Sequence, residues 1–272
     1  MTNGKSGSPL GKQKGHSLTY DPSHLFPVSR KGPREAIGAI PPPFTGKDIW
    51  NGYELSWLNP RGKPQIALAR FIFPFDSENI IESKSVKLYL NSFNQTCFSS
   101  RKQVKETIEK DLSETSRARV DVSLLVPEQF SNEKFALCPG VCLDNLDVAI
   151  DKYHMAPDLL TVHKKKVKEQ LYSNLMRTNC PVTGQPDWAS LMVEYRGNKI
   201  DHKGLLKYLI SFRNHTGFHE NCVEQVFMDI VNRCSPERLL VYARFTRRGG
   251  LDINPYRSNY NAIVQDMRLT RQ

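Results

Sequence analysis

Two segments of this 272-residue chain repeat one another at a fixed distance, and this repeat constrains the fold more than any other feature. Residues 81–93 read IESKSVKLYLNSF and residues 200–212 read IDHKGLLKYLISF, an offset of 119 residues (200 − 81) without a gap. Their apolar residues recur at helical spacing, so each segment is predicted to form a short amphipathic helix. Six of the thirteen paired positions are identical: Ile81/Ile200, Lys84/Lys203, Tyr89/Tyr208, Leu90/Leu209, Ser92/Ser211 and Phe93/Phe212.

The patterns around the two segments also follow the same order in each half. Alternating or continuous apolar runs predict strands, and apolar residues at i, i+4 predict helices. Each half therefore reads strand, strand, helix, helix, strand, and a final strand follows in the second half. Residues 171–176 fit a helix or a strand equally well by their spacing. The other predicted strands are 53–57, 65–73, 120–126, 188–195 and 239–245, and the further helices are 100–112 and 218–234.

This order indicates a tandem duplication of one α+β module. A chain of 272 residues has room for two domains of ordinary size. Pro, Asp and Lys accumulate between residues 140 and 165, where we place the boundary. We predict a flexible N-terminal arm over residues 1–47, a first module over 48–155 and a second module over 156–272.

The composition fits a folded protein of the cytoplasm. Hydrophobic residues make up 39% of the chain and charged residues 24%, so a packed core is expected. The sequence contains no apolar run of about eighteen residues, which argues against a membrane span. Its N-terminus lacks the apolar centre of a signal peptide. Cys138 and Cys142 are an isolated pair, and we expect no metal because closed zinc sites need four ligands.

The formal net charge of +10 at pH 7 raises the question of nucleic-acid binding. Part of the excess lies in the N-terminal arm, in residues 163–166 and at Arg247 and Arg248, and no recognisable nucleic-acid-binding motif accompanies it. A pocket for a small anionic ligand would use such charges equally well. We therefore expect no direct contact with nucleic acid.

The two halves differ most at one turn. Residues 179–187 read NCPVTGQPD, whereas the counterpart at 59–65 reads NPRGKPQ and has neither Cys nor Asp. A cysteine in a Pro- and Gly-rich turn is placed for exposure, and an acid seven residues later can share its pocket. Cys180 is thus a candidate nucleophile and Asp187 a candidate proton donor or acceptor. From the spacing alone, a free thiol on a loop remains the alternative.

Two further groups of polar residues stand at predicted helix starts. His219 and Glu220 either cap a helix or present a carboxylate to paired ring N–H groups, as in a guanine-type ring. Glu82, Ser83 and Lys84 are either a solvated helix start or part of a site. The Glu-Ser-Lys motif occurs only in the first half, and the Cys, Asp and His-Glu groups only in the second. This division indicates one site shared between two copies of a scaffold.

Several of these motifs together resemble one enzyme family, the NADPH-dependent 7-cyano-7-deazaguanine reductases, which are the nitrile reductases of queuosine biosynthesis. The resemblance is to the long, two-module form and runs from about residue 20 to residue 272. It implies tandem tunnelling-fold modules, each an antiparallel four-stranded sheet with two helices on one face, and a homodimer. The motifs are YELSWL at 53–58, ESKSVKLYL at 82–90, NCPVTGQPD at 179–187, SFRNH at 211–215, FHE at 218–220 and YARFTRRGGLDINP at 242–255.

The resemblance also implies a role for each matching residue. Cys180 would form a covalent thioimide with the nitrile, and Asp187 would donate the proton. NADPH, two molecules per turnover, is implied by the resemblance alone, because no G-x-G-x-x-G follows a predicted strand. The implied substrate contacts are Ile81, Glu82, Ser83, His219 and Glu220, and the implied cofactor contacts are Ser83, Lys84, Arg248 and Gly249.

Two other interpretations stay open at this point. A different tunnelling-fold enzyme of purine or pterin chemistry, such as a cyclohydrolase, would need a His/Cys zinc set near the substrate glutamate. A basic RNA-binding protein would depend on residues 164–166 rather than on Cys180.

Overall fold

The computed structural model describes residues 19–272, and the first eighteen residues of the predicted arm lie outside this range. The predicted strands and helices are confirmed, and residues 171–176 belong to a strand. The strands are β1 Pro27–Ser29, β2 Thr45–Leu58, β3 Pro64–Pro74, β4 Asn79–Ile81, β5 Asp121–Leu125, β6 Val141–Cys142, β7 Val162–Asn179, β8 Pro186–Ile200, β9 Arg238–Phe245 and β10 Leu251–Ser258. The helices are α1 Lys31–Ala36, α2 Ser83–Asn91, α3 Arg101–Ser116, α4 His202–Ser211 and α5 His219–Cys234.

Eight strands form one sheet in the order β5-β3-β2-β10-β9-β8-β7-β6. Neighbouring strands run antiparallel, except that β6 runs parallel to β7. Strand β10 joins the two halves, because it pairs with β9 on one side and with β2 on the other. Its pairing with β2 extends from Leu251 opposite Gly52 to Ser258 opposite Thr45. A second, two-stranded sheet pairs β1 with β4.

The α+β class is confirmed, and the second half supplies the expected four antiparallel strands, β7 to β10, but the four-stranded sheet predicted for the first half needs a correction. The first half contributes three long strands, β2, β3 and β5, beside β10 of the second half. Its fourth strand, β6, has two residues and pairs with β7 at the opposite end of the sheet. In the segment between β5 and β7 the chain forms short 3₁₀ turns that begin at Pro127 and Pro157. Proline has no backbone N–H to donate to a neighbouring strand, which disfavours a longer strand in this segment. By the order of the second half, a longer fourth strand would lie beside β5, so the edge of β2 is open to β10 in either case.

Helices α2 to α5 pack on one face of the sheet, above alternate residues of the strands. On β9, Leu239, Val241 and Ala243 belong to the core beneath the second-half helices. The intervening Tyr242 lies in a small apolar cluster with Ile49, Met192 and Tyr256 on the opposite face.

The residues repeated between the two halves hold the two helices in the same way. Tyr89 on α2 donates a 2.6 Å hydrogen bond to Asp111, and Tyr208 on α4 donates one of the same length to Asp229. Both tyrosine rings meet the following phenylalanine edge-on. The repeated serines also match, with hydrogen bonds of 2.6 Å from Ser92 to the Tyr89 carbonyl and 2.7 Å from Ser211 to the Tyr208 carbonyl. The residues shared by the two segments thus hold α2 against α3 and α4 against α5 in the same way.

The prediction of a flexible arm over residues 1–47 needs a correction from residue 19 onward. Strand β1 pairs with β4, from Pro27 opposite Ile81 to Ser29 opposite Asn79. The Tyr20 hydroxyl donates a 2.7 Å hydrogen bond to Asp111, which also accepts from Tyr89. Polar side chains between residues 19 and 47 thus form hydrogen bonds with buried residues elsewhere in the chain, and these bonds hold the segment against the rest of the protein.

We predict that Tyr208→Phe lowers the free energy of unfolding by about 2 kcal/mol, because it removes a donor to a buried carboxylate. Tyr89→Phe should have a smaller effect, since the same oxygen, Asp111 Oδ2, keeps the hydrogen bond from Tyr20. Asp229 keeps only the hydrogen bond from Gln225, which is made to its other oxygen, Oδ1. Urea denaturation of the two variants measures the difference.

Tyr153→Phe is the matched control, because this tyrosine is 43% exposed and its removal should change the free energy of unfolding by less than about 0.5 kcal/mol. Equal losses for Tyr89→Phe and Tyr208→Phe would contradict the idea that the second donor protects Asp111.

Candidate active site

A cleft of about 310 Å³, measured to include its mouth, lies where β10 joins the two halves. It is lined from the first half by Trp50, Ile81 and Ser83. The second half supplies Cys180, Pro181, Asp187, Gly217, Phe218, His219, Glu220, Arg248 and Ile253. The structure therefore brings together most of the site residues named from the sequence, and it does so across the two copies.

Cys180 is the first residue after β7 and opens the hairpin turn to β8. Its backbone N–H donates a 2.9 Å hydrogen bond to the carbonyl of Gln185, and its own carbonyl accepts one of 2.9 Å from Gly184. Gly184 has a φ of +68°, which suits glycine in so tight a turn. The expectation of an exposed thiol needs a correction, because the turn is exposed but Cys180 itself is buried at 7% exposure.

The surroundings of Cys180 favour its thiolate. Burial by itself raises the pKa of the thiol, but hydrogen bonds from the Thr183 hydroxyl and the Arg248 guanidinium, and from the backbone of Val182 and Thr183, outweigh it. The pKa of Cys180 therefore lies below that of an ordinary thiol, as a nucleophilic cysteine requires.

Asp187 is the second residue of β8 and is buried beside Cys180. Its Oδ1 lies 3.3 Å from Arg248 Nη2, and its Oδ2 lies 3.4 Å from His219 Nε2. Arg248 also donates a 2.8 Å hydrogen bond to Gln185, and the His219 ring stacks on Phe245 with its centroid 3.9 Å away. The acid is thus fixed between two nitrogen groups next to the thiol.

Glu220 lies in the first turn of α5, and its side chain is buried. Within residues 19–272, its Oε1 atom has no hydrogen-bond partner. Burial raises the pKa of Glu220, and the negative charge of Asp48 raises it further. A buried carboxylate without a partner is unfavourable unless a ligand completes its hydrogen bonds. Glu220 is therefore placed to receive N–H donors of a bound molecule.

Glu82 has a different position from the one expected for a cleft residue. Its carboxylate accepts hydrogen bonds of 2.8 Å and 2.7 Å from the backbone N–H groups of Lys84 and Ser85, so it caps α2. The neighbouring Ile81 and Ser83 line the cleft, and Glu82 does not. In the second half Asp201 caps α4 in the same way, which explains why both copies keep an acid here.

A second cleft of about 830 Å³, again including open space, adjoins the first and contains Lys84, Lys87 and Gly249. Ser83 and Arg248, which precede Lys84 and Gly249 in the chain, line the first cleft. Gly249 has a φ of +58°, and a Cβ there would lie 3.1 Å from the Cδ atom of Lys87. Lys84, Lys87 and Arg248 thus lie at the boundary between the two clefts. This boundary falls between Ser83 and Lys84 on α2 and between Arg248 and Gly249 after β9.

Sequence reasoning missed Lys87, although it lies three residues after Lys84 and so on the same side of α2. Burial lowers the pKa of the Lys87 ammonium, and the positive charge of Arg248 lowers it further. The negative charges of Glu82, Asp187 and Cys180 oppose that shift. Lys87 therefore acts electrostatically on both clefts.

Two other kinds of feature are absent from residues 19–272. No three His, Cys, Asp or Glu side chains in that range gather where they could hold a metal ion. No helix in the same range is long and apolar enough to cross a membrane.

Comparison with known proteins places the chain among the nitrile reductases. The family described as "Nitrile reductase, 7-cyano-7-deazaguanine-reductase N-term" matches residues 16–124, and the family described as "QueF-like protein" matches residues 186–263. The two matches include the cleft residues of both halves except Cys180 and Pro181, which precede residue 186.

Full-length relatives agree with this assignment. The NADPH-dependent 7-cyano-7-deazaguanine reductase of Desulfotalea psychrophila is 57% identical over 98% of this chain and 98% of its own. The enzyme of that name from Paraburkholderia phytofirmans is 56% identical over 97% of this chain and 98% of its own. The chain belongs to the family of NADPH-dependent 7-cyano-7-deazaguanine reductases, which confirms the resemblance stated from the motifs.

One solved structure, the archaeosine synthase QueF-Like in its apo form, aligns with 36% of this chain and 96% of its own. The identity is 15% and the TM-score is 0.31, too low to bear on the fold.

We predict that Arg248→Met shifts the pH dependence of Cys180 alkylation upward. The guanidinium is one of the groups that lower the pKa of this thiol, so its removal should require a higher pH for the same thiolate fraction. Iodoacetamide labelling, followed per cysteine by peptide mass spectrometry, measures the pH of half-maximal rate.

The matched control is Arg247→Met, which removes the neighbouring cation that lies over the Tyr53 ring. An unchanged pH profile in Arg248→Met, or an equal shift in Arg247→Met, would show that Arg248 does not set the pKa of Cys180.

Proposed function

We propose that this chain reduces the nitrile of 7-cyano-7-deazaguanine to the primary amine, 7-aminomethyl-7-deazaguanine, with NADPH as reductant. The observation that carries the proposal is Cys180, a buried thiol with a lowered pKa, which shares one cleft with Asp187 and the unpartnered carboxylate of Glu220. Family membership supports the same reaction, because the relatives carry that name. The step would belong to queuosine biosynthesis.

Cys180 and Asp187 would carry out the first chemical step. The thiolate adds to the nitrile carbon, forming a C–S bond while one π pair of the triple bond moves to nitrogen. Asp187 gives its proton to that nitrogen, which yields a neutral thioimide. The short turn that holds both residues supports this assignment, since it keeps the acid beside the thiol.

The second cleft fits the phosphate groups of NADPH. Lys84, Lys87 and Arg248 would neutralise phosphate charge, and Gly249 lets the chain pass close to the ligand. NADPH, when bound, supplies hydride to the substrate carbon. Reduction of a nitrile to an amine takes four electrons, and this requires two molecules of NADPH per turnover.

The substrate ring would lie between the two helix starts. Glu220 would accept ring N–H donors, and His219 would contact the same edge, with Ile81 and Ser83 on the opposite wall. Glu82 would complete that wall while it caps α2, because each carboxylate oxygen has a second lone pair for a ligand N–H.

We further propose two tunnelling-fold modules over residues 48–155 and 156–272, assembled as a cytoplasmic homodimer. The helices on one sheet face support this fold, and the homodimer is what the resemblance to the two-module enzymes implies. The six unpaired cysteines fit a reducing compartment.

The function is tested by mixing the protein with 7-cyano-7-deazaguanine and NADPH and measuring both reactants. We expect two molecules of NADPH oxidised for each nitrile consumed, because the reaction transfers four electrons. A cyclohydrolase would oxidise no NADPH. Folded protein that consumes neither reactant would reject the proposal.

We predict that Cys180→Ala abolishes both turnover and covalent capture of the substrate. In the absence of NADPH the thioimide should accumulate on the unaltered protein, and intact-protein mass spectrometry should detect the added mass. Cys97→Ala is the control, since Cys97 is exposed and lies outside the cleft, and it should retain the adduct. An adduct that persists in Cys180→Ala would assign the nucleophile to another residue.

A further inference from the structure

Trp50 lies in the wall of the site cleft with an unused hydrogen-bond donor. It is 2% exposed, and its indole Nε1–H has no partner among the described residues 19–272. Buried tryptophan N–H groups usually have a partner, and one left without a partner destabilises the protein. An orphan donor beside a cleft therefore points to an acceptor that arrives with a ligand.

The sheet fixes the position of this donor. Trp50 is in the middle of β2, opposite Phe71 of β3 and Ile253 of β10. Its ring packs on Phe73 with centroids 5.4 Å apart. Because β2 pairs with a strand on each side and the ring packs on Phe73, the fold fixes the direction of the Trp50 indole N–H.

Trp50 is one of three cleft residues with a buried polar atom that makes no hydrogen bond within residues 19–272, although His219 Nε2 lies 3.4 Å from Asp187 Oδ2. Glu220 Oε1 can only accept when ionised, Trp50 Nε1–H can only donate, and His219 Nε2 can do either according to its tautomer. A ligand that completes this set needs at least one donor and one acceptor.

The ring of the proposed substrate has this combination on one edge. Its N1–H and amino group are donors, and the carbonyl at C6 beside them is an acceptor. Glu220 accounts for the donors and leaves the carbonyl without an assigned partner. Arg248 is already engaged with Gln185 and Asp187, and His219 Nε2 lies 3.4 Å from Asp187, so among the buried polar groups of the cleft the indole N–H is the donor left for that carbonyl.

We propose that Trp50 Nε1–H donates a hydrogen bond to the C6 carbonyl oxygen of the substrate and so selects guanine-type over adenine-type rings. The inference rests on the proposed function. An amino group at C6 would place donor against donor and leave the indole N–H unsatisfied. Sites built to hydrogen-bond a substrate group discriminate strongly against analogues that lack it.

The test uses Trp50→Phe, which keeps an aromatic ring and removes the donor. We expect KM for 7-cyano-7-deazaguanine to rise about 10-fold while kcat stays within about 2-fold, because a contact equal in ground and transition states changes binding alone. With the 6-thio analogue, whose sulfur accepts hydrogen bonds weakly, the same substitution should change KM by less than about 2-fold. Trp57→Phe, on the same strand but outside the cleft, is the matched control and should leave both substrates unaffected.

An unchanged KM in Trp50→Phe would overturn the inference. An equal rise for the oxo and thio substrates would also overturn it, since that result indicates lost packing rather than a lost hydrogen bond. Wild-type turnover is measured first, so failure of the proposed function appears there, as no NADPH oxidation, and is distinct from either of these outcomes.

A second measurement needs no Trp50 variant. The chain has three tryptophans, so ¹⁵N-labelled Cys180→Ala protein should give three indole N–H signals, assigned by elimination with Trp57→Phe and Trp188→Phe. Addition of 7-cyano-7-deazaguanine should move the Trp50 signal downfield, as a new hydrogen bond does, and should move it less with the 6-thio analogue. Saturating ligand that leaves this signal in place would reject the assignment.

Discussion

A buried network of five charged side chains ties the sheet, a helix and the N-terminal segment together. Arg257 on β10 lies 2.7 Å from Asp48 of β2 and 2.8 Å from Glu224 of α5. Arg34 of α1 lies 2.7 Å from Glu224, and Arg30 lies 2.5 Å from Asp48. Removing such charges from water is unfavourable, and their mutual contacts offset this only when every partner is in place. The junction of the two halves therefore depends on the complete set.

The same network separates a structural acid from a functional one on α5. Burial raises the pKa of Glu224, but Arg257 and Arg34 outweigh it and hold the pKa below the usual range. Glu220 lies one helical turn earlier and forms no ion pair with an arginine of the described residues, so burial and the negative charge of Asp48 leave its pKa raised. Two glutamates four residues apart thus differ because the arginines satisfy one and leave the other to the cleft.

The elements of the fold and much of the site could be predicted from the sequence, because both rest on local patterns. Helical spacing in the repeated segments predicted α2 and α4, and the turn at 179–187 placed Cys180 with Asp187. The pairing of β10 with β2 could not be predicted, since strand partners distant in the chain leave no period in the sequence. The folding of residues 19–44 depends in the same way on distant acids that accept from Tyr20 and Arg34. That the indole N–H of Trp50 lacks a hydrogen-bond partner among the described residues follows only from its neighbours in the folded structure.

The split of the site between two copies follows from the pairing of β10, the last strand of the second half, with β2, the first long strand of the first half. In the second half the fourth strand, β10, lies beside β9 and away from β7, so a fourth strand in the first half would lie beside β5 and would also leave the edge of β2 open. With that edge open, β10 brings α5 and the 180–187 turn towards the start of α2. The start of α2 is held in place because β1 pairs with β4 and because the Glu82 N–H donates a 2.9 Å hydrogen bond to the Phe26 carbonyl. Glu82 and Asp201 both cap their helices, so the acid alone does not distinguish the copies. The copy that carries ligand contacts is the one whose helix start lies beside β10, and Ser83 reaches the cleft for that reason.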